Sequence, residues 1–302
     1  MSALRTLLEG RLDYAGLFPP AALGMAEAWR TFERHRGSEE SWLTGSFVCP
    51  VGRLHELALL PTTHAAHFAL SLLVGGTARE MEEAEAAWES FRQGVATTVE
   101  IRAWELRLPR ESAADPSPWL DGQCLLPGLA PRFWEAGADW TLAERDNLAF
   151  ALAHHPGPAA MGLKLRCGGV SAEELPSVER LCQDLFLAAR HALPLKLTAG
   201  LHHPLRHQRD GRPMHGFLNL YLAALAARLP HVDEAQLKAL LEEEKASAFA
   251  VEGQRVRWRD LVWDAAVLGG ASAWVTGHGS CSVDEPVEDL KALGWWPAST
   301  AS

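Results

Sequence analysis

The feature that most constrains the fold of this chain is an alternation of short apolar runs with longer amphipathic stretches. Segments such as Thr77–Gln93 and Ser171–Ala192 carry apolar residues at three- and four-residue spacing, which is typical of helices with one buried face. Strands that alternate with such helices indicate a parallel sheet built from βαβ units. The candidate strands are Leu12–Phe18, Trp42–Val48, His67–Val74, Thr97–Ala103, Pro131–Glu135, Met161–Arg166, Leu193–Ala199 and Ser272–Gly277.

Eight strand–helix units predict an α/β fold, namely a single (β/α)8 barrel of the TIM type. The alternative is an open doubly wound sheet. The dinucleotide-binding version of that fold has a Gly-x-Gly-x-x-Gly motif after its first strand, and this chain has no such motif there. A chain of 302 residues is long for one domain, yet barrels of this size fold as one unit. We therefore expect one domain over residues 1–302.

Two connections depart from the regular alternation. The stretch Glu105–Gly128 is rich in proline and short polar residues, so we expect a loop with at most one short helix. Roughly 70 residues separate the seventh and eighth strands and include helical patterns such as Asp233–Ala246. We expect this helical insertion, about residues 204–268, to cover one mouth of the barrel as a lid.

Charge and cysteine content exclude several classes of protein. The chain has 28 basic and 38 acidic residues, a net charge of −10, which disfavours nucleic acid and anionic membrane as partners. Its five cysteines are scattered, without a Cys-x-x-Cys pair, so no disulfide framework or cysteine zinc site is expected. We expect no signal peptide in the first residues, because Arg5, Glu9 and Arg11 interrupt the apolar runs. We expect a cytoplasmic protein.

Charged side chains fall on the inward positions of neighbouring candidate strands. Side chains alternate between the interior and the surrounding helices, so apolar Leu163 and Leu165 are assigned to the helical side. Near the carboxyl ends of barrel strands, inward charges usually form an active site. The alternative is that Lys164–Glu135 or Lys196–Glu100 are ion pairs that only fill the interior. The inward set is Lys164, Arg166, Lys196, Thr198, His202, Glu100, Arg102 and Glu135.

Two lysines at one depth on neighbouring strands suggest amine chemistry. A second cation or desolvation lowers the pKa of a lysine and exposes its lone pair. One of Lys164 and Lys196 could then form a Schiff base with a carbonyl substrate while the other keeps it deprotonated. A glutamate within reach, Glu100 or Glu135, could transfer the protons of the reaction.

The segments Lys164-Leu-Arg-Cys-Gly168 and Lys196-Leu-Thr-Ala-Gly200-Leu201 resemble the paired lysine strands of deoxyribose-phosphate aldolase-type class I aldolases. In that family a lysine on the sixth strand forms the Schiff base and one on the seventh perturbs it. The resemblance implies these two roles for Lys164 and Lys196, and that of an acidic proton shuttle for Glu100. Over its whole length the chain looks like a group of bacterial (β/α)8-barrel proteins, a likeness that implies a fold and no function.

A histidine-rich segment follows the seventh strand. Histidine is a common general base and metal ligand. We expect His202 and His203 to lie near the substrate, with His215 and Asn219, one helical turn apart, covering the pocket. One alternative is a hydrogen-bonded loop, and another is a metal site formed by His202, His215, His278 and Glu135.

The last strand leads into the glycine-rich segment TGHGSCS, residues 276–282, just before a predicted helix. Backbone N–H groups at such a position bind anions, and in barrels this place often holds a phosphate. We therefore expect Gly279 and Ser280 to bind an anionic group, with Arg166 as counter-charge. The alternative is that Ser282 only caps the helix, whose first turn is acidic.

Together these patterns predict a barrel enzyme that acts on a small anionic carbonyl compound through a lysine Schiff base, as an aldolase-like lyase or an isomerase. A phosphate is one candidate for the anionic group. We expect no cofactor and no metal. A homo-oligomer is possible, and the sequence does not decide the oligomeric state. The alternatives are an acid/base or metal-assisted barrel enzyme that uses Glu135 and His202, and a non-catalytic barrel that binds a ligand or a partner.

Overall fold

The strands follow the predicted alternation along the chain. The structure is a computed structural model, and it describes residues 2–61, 67–95, 97–169, 171 and 174–297. The strands are β1 (Leu12–Tyr14), β2 (Thr44–Pro50), β3 (His67–Gly75), β4 (Thr98–Arg107), β5 (Arg132–Glu135), β6 (Met161–Arg166), β7 (Leu195–Thr198), β8 (His207–Arg209), β9 (Arg212–Met214), β10 (Phe249–Glu252), β11 (Arg255–Trp258), β12 (Leu261–Trp263) and β13 (Val275–Ser280).

Strands β1 to β7 and β13 close into an eight-stranded barrel in which all neighbours are parallel. Helices alternate with these strands along the chain, so the predicted (β/α)8 barrel, with its insertion between the seventh and eighth barrel strands, is confirmed. The helices are α1 (Ala3–Leu8), α2 (Met25–Arg36), α3 (Leu54–Leu57), α4 (Ala78–Gly94), α5 (Ser117–Asp121), α6 (Leu142–His154), α7 (Val178–Arg190), α8 (Phe217–Ala226), α9 (Glu234–Leu241), α10 (Ala265–Gly270) and α11 (Asp284–Ala292).

Local sequence sets where the helices begin. Thr77 caps α4 by accepting from the backbone N–H of Glu80, whose side chain in turn accepts from the backbone of Thr77. Ser177 caps α7, so this helix begins later than the segment predicted from Ser171, and residues 172 and 173 lie outside the described residues. Within the described ranges, every helix is too short or too polar to cross a membrane.

Strand β4 carries a bulge that decides which of its side chains enter the barrel. Its register against β3 shifts between Ile101 and Ala103, so one residue is extra on the β4 side. A shift of one residue reverses which face each later side chain occupies. Glu105 therefore points into the interior, whereas strict alternation from Glu100 would have placed Trp104 there.

The predicted loop Glu105–Gly128 is wrong for its first three residues, because β4 continues to Arg107. The remainder contains α5 and short 3₁₀ turns. Because the predicted loop began at Glu105, this residue was not assigned to a strand, although its side chain lies in the interior of the barrel.

The insertion after β7 reaches both ends of the barrel. The hairpin of β8 and β9 lies at the carboxyl ends of the strands, where Arg209 and Arg212 line a cavity. The antiparallel sheet of β10 to β12 and helix α10 lie instead against α1, at the opposite end. There the backbone N–H of Ala3 donates to the carbonyl oxygen of Gly253 at 2.8 Å.

A glycine on the last barrel strand makes room for a buried carboxylate on the first. Asp13 is only 1% exposed. A Cβ atom at Gly277 would lie 2.5 Å from Asp13 Oδ2 and 3.0 Å from the carbonyl oxygen of Arg11. Because close-packed interiors resist added atoms, β13 needs glycine at this position for the carboxylate to fit.

We predict that Gly277→Ala lowers the free energy of unfolding by about 1–3 kcal/mol, because the added methyl group displaces the Asp13 carboxylate. Urea denaturation followed by circular dichroism measures the loss. Gly52→Ala is the matched control, since a Cβ atom there meets nothing within 4 Å. Equal losses in the two variants would contradict the packing argument.

Candidate active site

A network of ion pairs fills the centre of the barrel. The Nζ atom of Lys164 lies 3.1 Å from Glu105 Oε2 and 3.1 Å from Glu135 Oε2. Lys196 Nζ donates to Asp13 Oδ2 at 2.5 Å and lies 3.6 Å from Glu105 Oε1. Glu105 therefore bridges two lysines that pair directly in the register of β6 and β7, as their spacing predicted.

Two serines hold the carboxylates of this network in place. The hydroxyl of Ser71 donates to Glu105 Oε1 at 2.6 Å and receives a hydrogen bond from Lys196 Nζ at 3.3 Å. The backbone N–H of Ser46 donates to Asp13 Oδ1 at 2.8 Å, and the Ser46 hydroxyl donates to the same oxygen. Glu105 and Asp13 are thus each fixed by a neutral donor as well as by a cation, which low-dielectric surroundings require.

The charges in these contacts balance. Arg166 Nε lies 3.2 Å from Glu135 Oε1 and adds a third cation to the two lysines. Three cations therefore meet three carboxylates, and the ion pair predicted between Lys164 and Glu135 is present. Lys196 is 2% exposed and Lys164 is 9% exposed, so these pairs are largely removed from water.

The contacts in the network keep Glu105, Glu135 and Lys164 charged. Burial favours the neutral acids, but the two lysines outweigh it and lower the pKa of Glu105. In the same way Lys164 and Arg166 lower the pKa of Glu135. Burial also favours the neutral amine of Lys164, yet Glu105 and Glu135 raise its pKa. The expectation that a neighbouring lysine lowers the pKa of Lys164 is therefore wrong, because two carboxylates contact this amine directly.

Glu100 lies outside the network. It is exposed near the amino-terminal end of β4, and its Oε2 atom lies 3.4 Å from His67 Nε2. Its predicted place beside Lys196 is taken by Glu105, further along the same strand. The only sequence signal for Glu105 was its position as a single acid among apolar residues. The bulge reverses the face on which Glu105 lies, so strict alternation did not place it inside the barrel.

Asp13 is the other partner that the strand patterns did not assign. Strand β1 is three residues long and fully buried, with Asp13 between Leu12 and Tyr14. A lone acid in such a strand is a usable signal, because buried carboxylates need a cation or strong donors. Its partner Lys196 is remote in sequence, and only closure of the barrel brings the two together.

A cavity of 470 Å³ opens at the carboxyl ends of the strands, and Lys164 and Glu105 reach its lining from the network. Lys196 is not among the residues that line it. Of the residues predicted to bind substrate, those that line this cavity are Arg166, Thr198, His202 and Gly279. Glu135 lines a neighbouring cavity of 310 Å³ that also reaches Lys164.

Three other predicted residues are engaged in holding loops. His203 Nδ1 lies 2.6 Å from Asp289 Oδ2, and His215 Nε2 lies 2.8 Å from the carbonyl oxygen of Pro176. The side-chain amide of Asn219 donates to two backbone carbonyl groups near the end of α9 and accepts from the backbone N–H of Arg206. None of the three lines the cavity.

Ser280 also holds the backbone, because its hydroxyl donates to the carbonyl oxygen of Ser282 at 2.6 Å. The helix that follows, α11, has Asp284 and Glu285 in its first turn. These acids oppose an anion at the start of the helix. Of the segment 276–282, Gly279 and Cys281 line the cavity, whereas Ser280, which was predicted to bind the anion with Gly279, does not.

The residues of the alternative metal site are not assembled. His278 is completely buried, with Nδ1 3.2 Å from the Tyr221 hydroxyl, and burial lowers its pKa to about 3. Burial likewise lowers the pKa of His215, to about 4, and Glu135 is held by Lys164 and Arg166. In the part of the chain that the structure describes, no three histidine, cysteine or acidic side chains are grouped to hold a metal ion.

We predict that Glu105→Gln lowers the free energy of unfolding at pH 7 by about 3–5 kcal/mol, because it leaves two buried lysines with one carboxylate too few. Glu100→Gln, on the same strand but exposed, should change it by no more than about 0.5 kcal/mol. Similar losses in the two variants would contradict the bridging role of Glu105.

The Glu105→Gln variant also tests how the stability of the protein depends on pH. The folded pKa of Glu105 is lowered, so its stabilisation is present above the unfolded value of about 4.3 and is lost as the pH falls. Chemical denaturation between pH 7 and pH 3 should therefore show the wild type and Glu105→Gln converging on acidification.

No protein-family model, no curated protein and no solved structure matches this chain. The (β/α)8 barrel alone leaves the reaction open, since barrels carry many chemistries. Function must therefore be argued from the ion network and the cavity above it.

Proposed function

We propose that this barrel is an enzyme that acts on a small anionic carbonyl compound through a Schiff base on Lys164, as a lyase of the class I aldolase type or as an isomerase. The observation that carries the proposal is the position of the Lys164 amine. It lies between two carboxylates at the lining of the cavity, in register with a second lysine. No other lysine of the described chain lines this cavity.

A protonated amine cannot attack a carbonyl carbon, so Lys164 must first lose a proton. Glu105 and Glu135 each lie 3.1 Å from Nζ and can accept it directly. The transfer turns an ion pair into a neutral amine and a neutral acid, which burial favours. Lys196 beside Glu105 and Arg166 beside Glu135 stabilise the two carboxylates and therefore oppose this transfer, so the neutral amine is the minor form until a carbonyl compound reacts with it.

The remaining steps need only these groups. The Lys164 nitrogen forms a bond to the carbonyl carbon, and the protonated carboxyl group gives its proton to the carbonyl oxygen. Loss of water from the resulting carbinolamine leaves an iminium ion. Its positive nitrogen withdraws electrons from the neighbouring carbon, so a carbon–carbon or carbon–hydrogen bond there can break. The carboxylate that remains can accept the proton released in that step.

The hairpin over the cavity supports an anionic substrate. Arg209 and Arg212 face each other directly across β8 and β9, joined by a two-residue turn of Asp210 and Gly211. Both turn residues have positive φ, 52° and 73°, and glycine supplies this conformation at little cost. Like charges directly opposite each other destabilise a strand pair. Both side chains line the cavity with Arg166, so an anionic group that enters it can pair with the two guanidinium groups.

The complete pairing of the interior charges favours one alternative, a barrel that binds a ligand without catalysis. In that case the network serves only to fill the interior, and Lys164 stays an ammonium ion whatever enters the cavity. The two functions differ in whether Lys164 forms a covalent adduct.

We predict that borohydride reduction, in the presence of small aldehydes, keto acids and sugar phosphates, attaches one carbonyl compound to Lys164. Peptide mass spectrometry locates the adduct, and the exposed lysines Lys245 and Lys291 are internal controls for random labelling. Lys164→Arg keeps the positive charge and should abolish the adduct, whereas Lys291→Arg should retain it. Labelling of Lys164 no faster than of the exposed lysines would favour the non-catalytic alternative.

We predict that the double variant Arg209→Gln/Arg212→Gln raises the concentration of a phosphorylated aldehyde needed for half-maximal trapping by about tenfold or more. Trapping of the same aldehyde without its phosphate should change little, because the lost interaction is with the anion. Arg255→Gln/Arg257→Gln, on an exposed face of β11, is the matched control. An equal effect on the charged and the uncharged aldehyde would contradict the anion-binding role.

A further inference from the structure

A second group of side chains with the geometry of a nucleophilic site lies on the wall of the same cavity. Cys281 and His202 both line it, and Cys281 Sγ lies 3.7 Å from His202 Nε2. On the other side of the imidazole ring, Nδ1 lies 3.0 Å from Glu285 Oε2. A thiol, an imidazole and a carboxylate in this order have the arrangement by which enzymes activate a cysteine.

Hydrogen bonding fixes the histidine in the form that such a site needs. The Ser280 hydroxyl lies 3.1 Å from His202 Nδ1, but its own proton goes to the carbonyl oxygen of Ser282. Both neighbours of Nδ1, Ser280 and Glu285, are therefore acceptors, so the ring proton belongs on Nδ1. Nε2 then presents a lone pair to the thiol of Cys281. Burial lowers the pKa of His202 even though Glu285 acts to raise it, which keeps the ring neutral at pH 7.

The thiol is protonated at rest, because burial raises its pKa. His202 must therefore take the proton as the sulfur attacks, in the manner of a serine–histidine pair. The backbone of Ala21 and the positive charge of Arg209 act to lower the pKa of Cys281, and Arg209 also acts to lower that of His202. Arg209 lines the cavity and can pair with an acyl compound that carries a negative charge, whereas Glu285 does not line it.

We propose that Cys281 is a nucleophile for acyl transfer, with His202 as its general base and Glu285 as the residue that orients the imidazole. The substrate class is a small anionic ester or thioester that fits the cavity. The sulfur forms a bond to the acyl carbon as the thiol proton passes to His202 Nε2. The bond from the acyl carbon to the leaving oxygen or sulfur then breaks, and that atom takes the proton from His202, so the alcohol or thiol leaves and the imidazole is neutral again. Water, with His202 again as base, then releases the carboxylic acid and restores the thiol. This activity is separate from the imine chemistry of Lys164.

The test uses p-nitrophenyl acetate as an activated ester and the full chain at pH 7. We expect a burst of nitrophenolate and an acetyl group on Cys281, found by peptide mass spectrometry, well before any on the exposed Cys124. His202→Gln should slow acetylation of Cys281 by about a hundredfold, the size of a general-base contribution. Cys124→Ser is the control that keeps the burst, and Cys281→Ser should lose it.

Two further readouts separate catalysis from a change in packing. Acetylation of the wild-type protein should be slower in D2O, because a proton moves as the sulfur attacks. Glu285→Gln can still accept a hydrogen bond from His202 and should slow the reaction less than His202→Gln does. Acetylation of Cys281 no faster than of Cys124, or without a D2O effect, would overturn the proposal. Either result leaves the trapping experiment on Lys164 unaffected, so the two proposals fail independently.

Discussion

The contact on which the rest of the barrel depends is the carboxylate of Glu105 between Lys164 and Lys196. Taking a charge out of water costs several kcal/mol, and only a close opposite charge with further hydrogen bonds offsets it. Glu105 does this for two lysines at once and is itself held by Ser71. Since these groups come from β3, β4, β6 and β7, the network stabilises one relative register of the strands: a strand shifted by one residue would leave a buried charge without its partner.

The same constraint means that each of the two proposed reactions begins with a proton transfer. Both proposed nucleophiles, Lys164 and Cys281, are protonated at rest, the amine because carboxylates surround it and the thiol because it is buried. Each lies within reach of a base that can take its proton, Glu105 or Glu135 for the amine and His202 for the thiol. In the proposed reactions these groups stay paired until a substrate enters the cavity, and they change protonation only then.

Much of the fold could be predicted from sequence because its signals are local. Alternation along β6 and β7 placed Lys164 and Lys196 at one depth, and the pairing of these strands has no bulge between the two lysines. On β4 the same rule failed, because a bulge adds one residue and leaves no mark in the pattern of apolar side chains. Asp13 was hard to assign for a different reason. Its partner Lys196 lies on the seventh barrel strand, and contacts across a closed barrel depend on the whole ring of strands.

The connections after the strands explain why some of the residues predicted to bind substrate line the cavity and others do not. Thr198 is the last residue of β7 and His202 lies four residues further on, and both reach the cavity. His215 and Asn219 lie beyond the hairpin, where the chain has turned away to begin α8, and their polar groups satisfy backbone atoms of that turn. A polar side chain in a long connection must first serve the backbone, because buried carbonyl and N–H groups need partners. The same demand acts even at a strand end, because Ser280 is the last residue of β13 and its hydroxyl donates to the backbone instead of reaching the cavity.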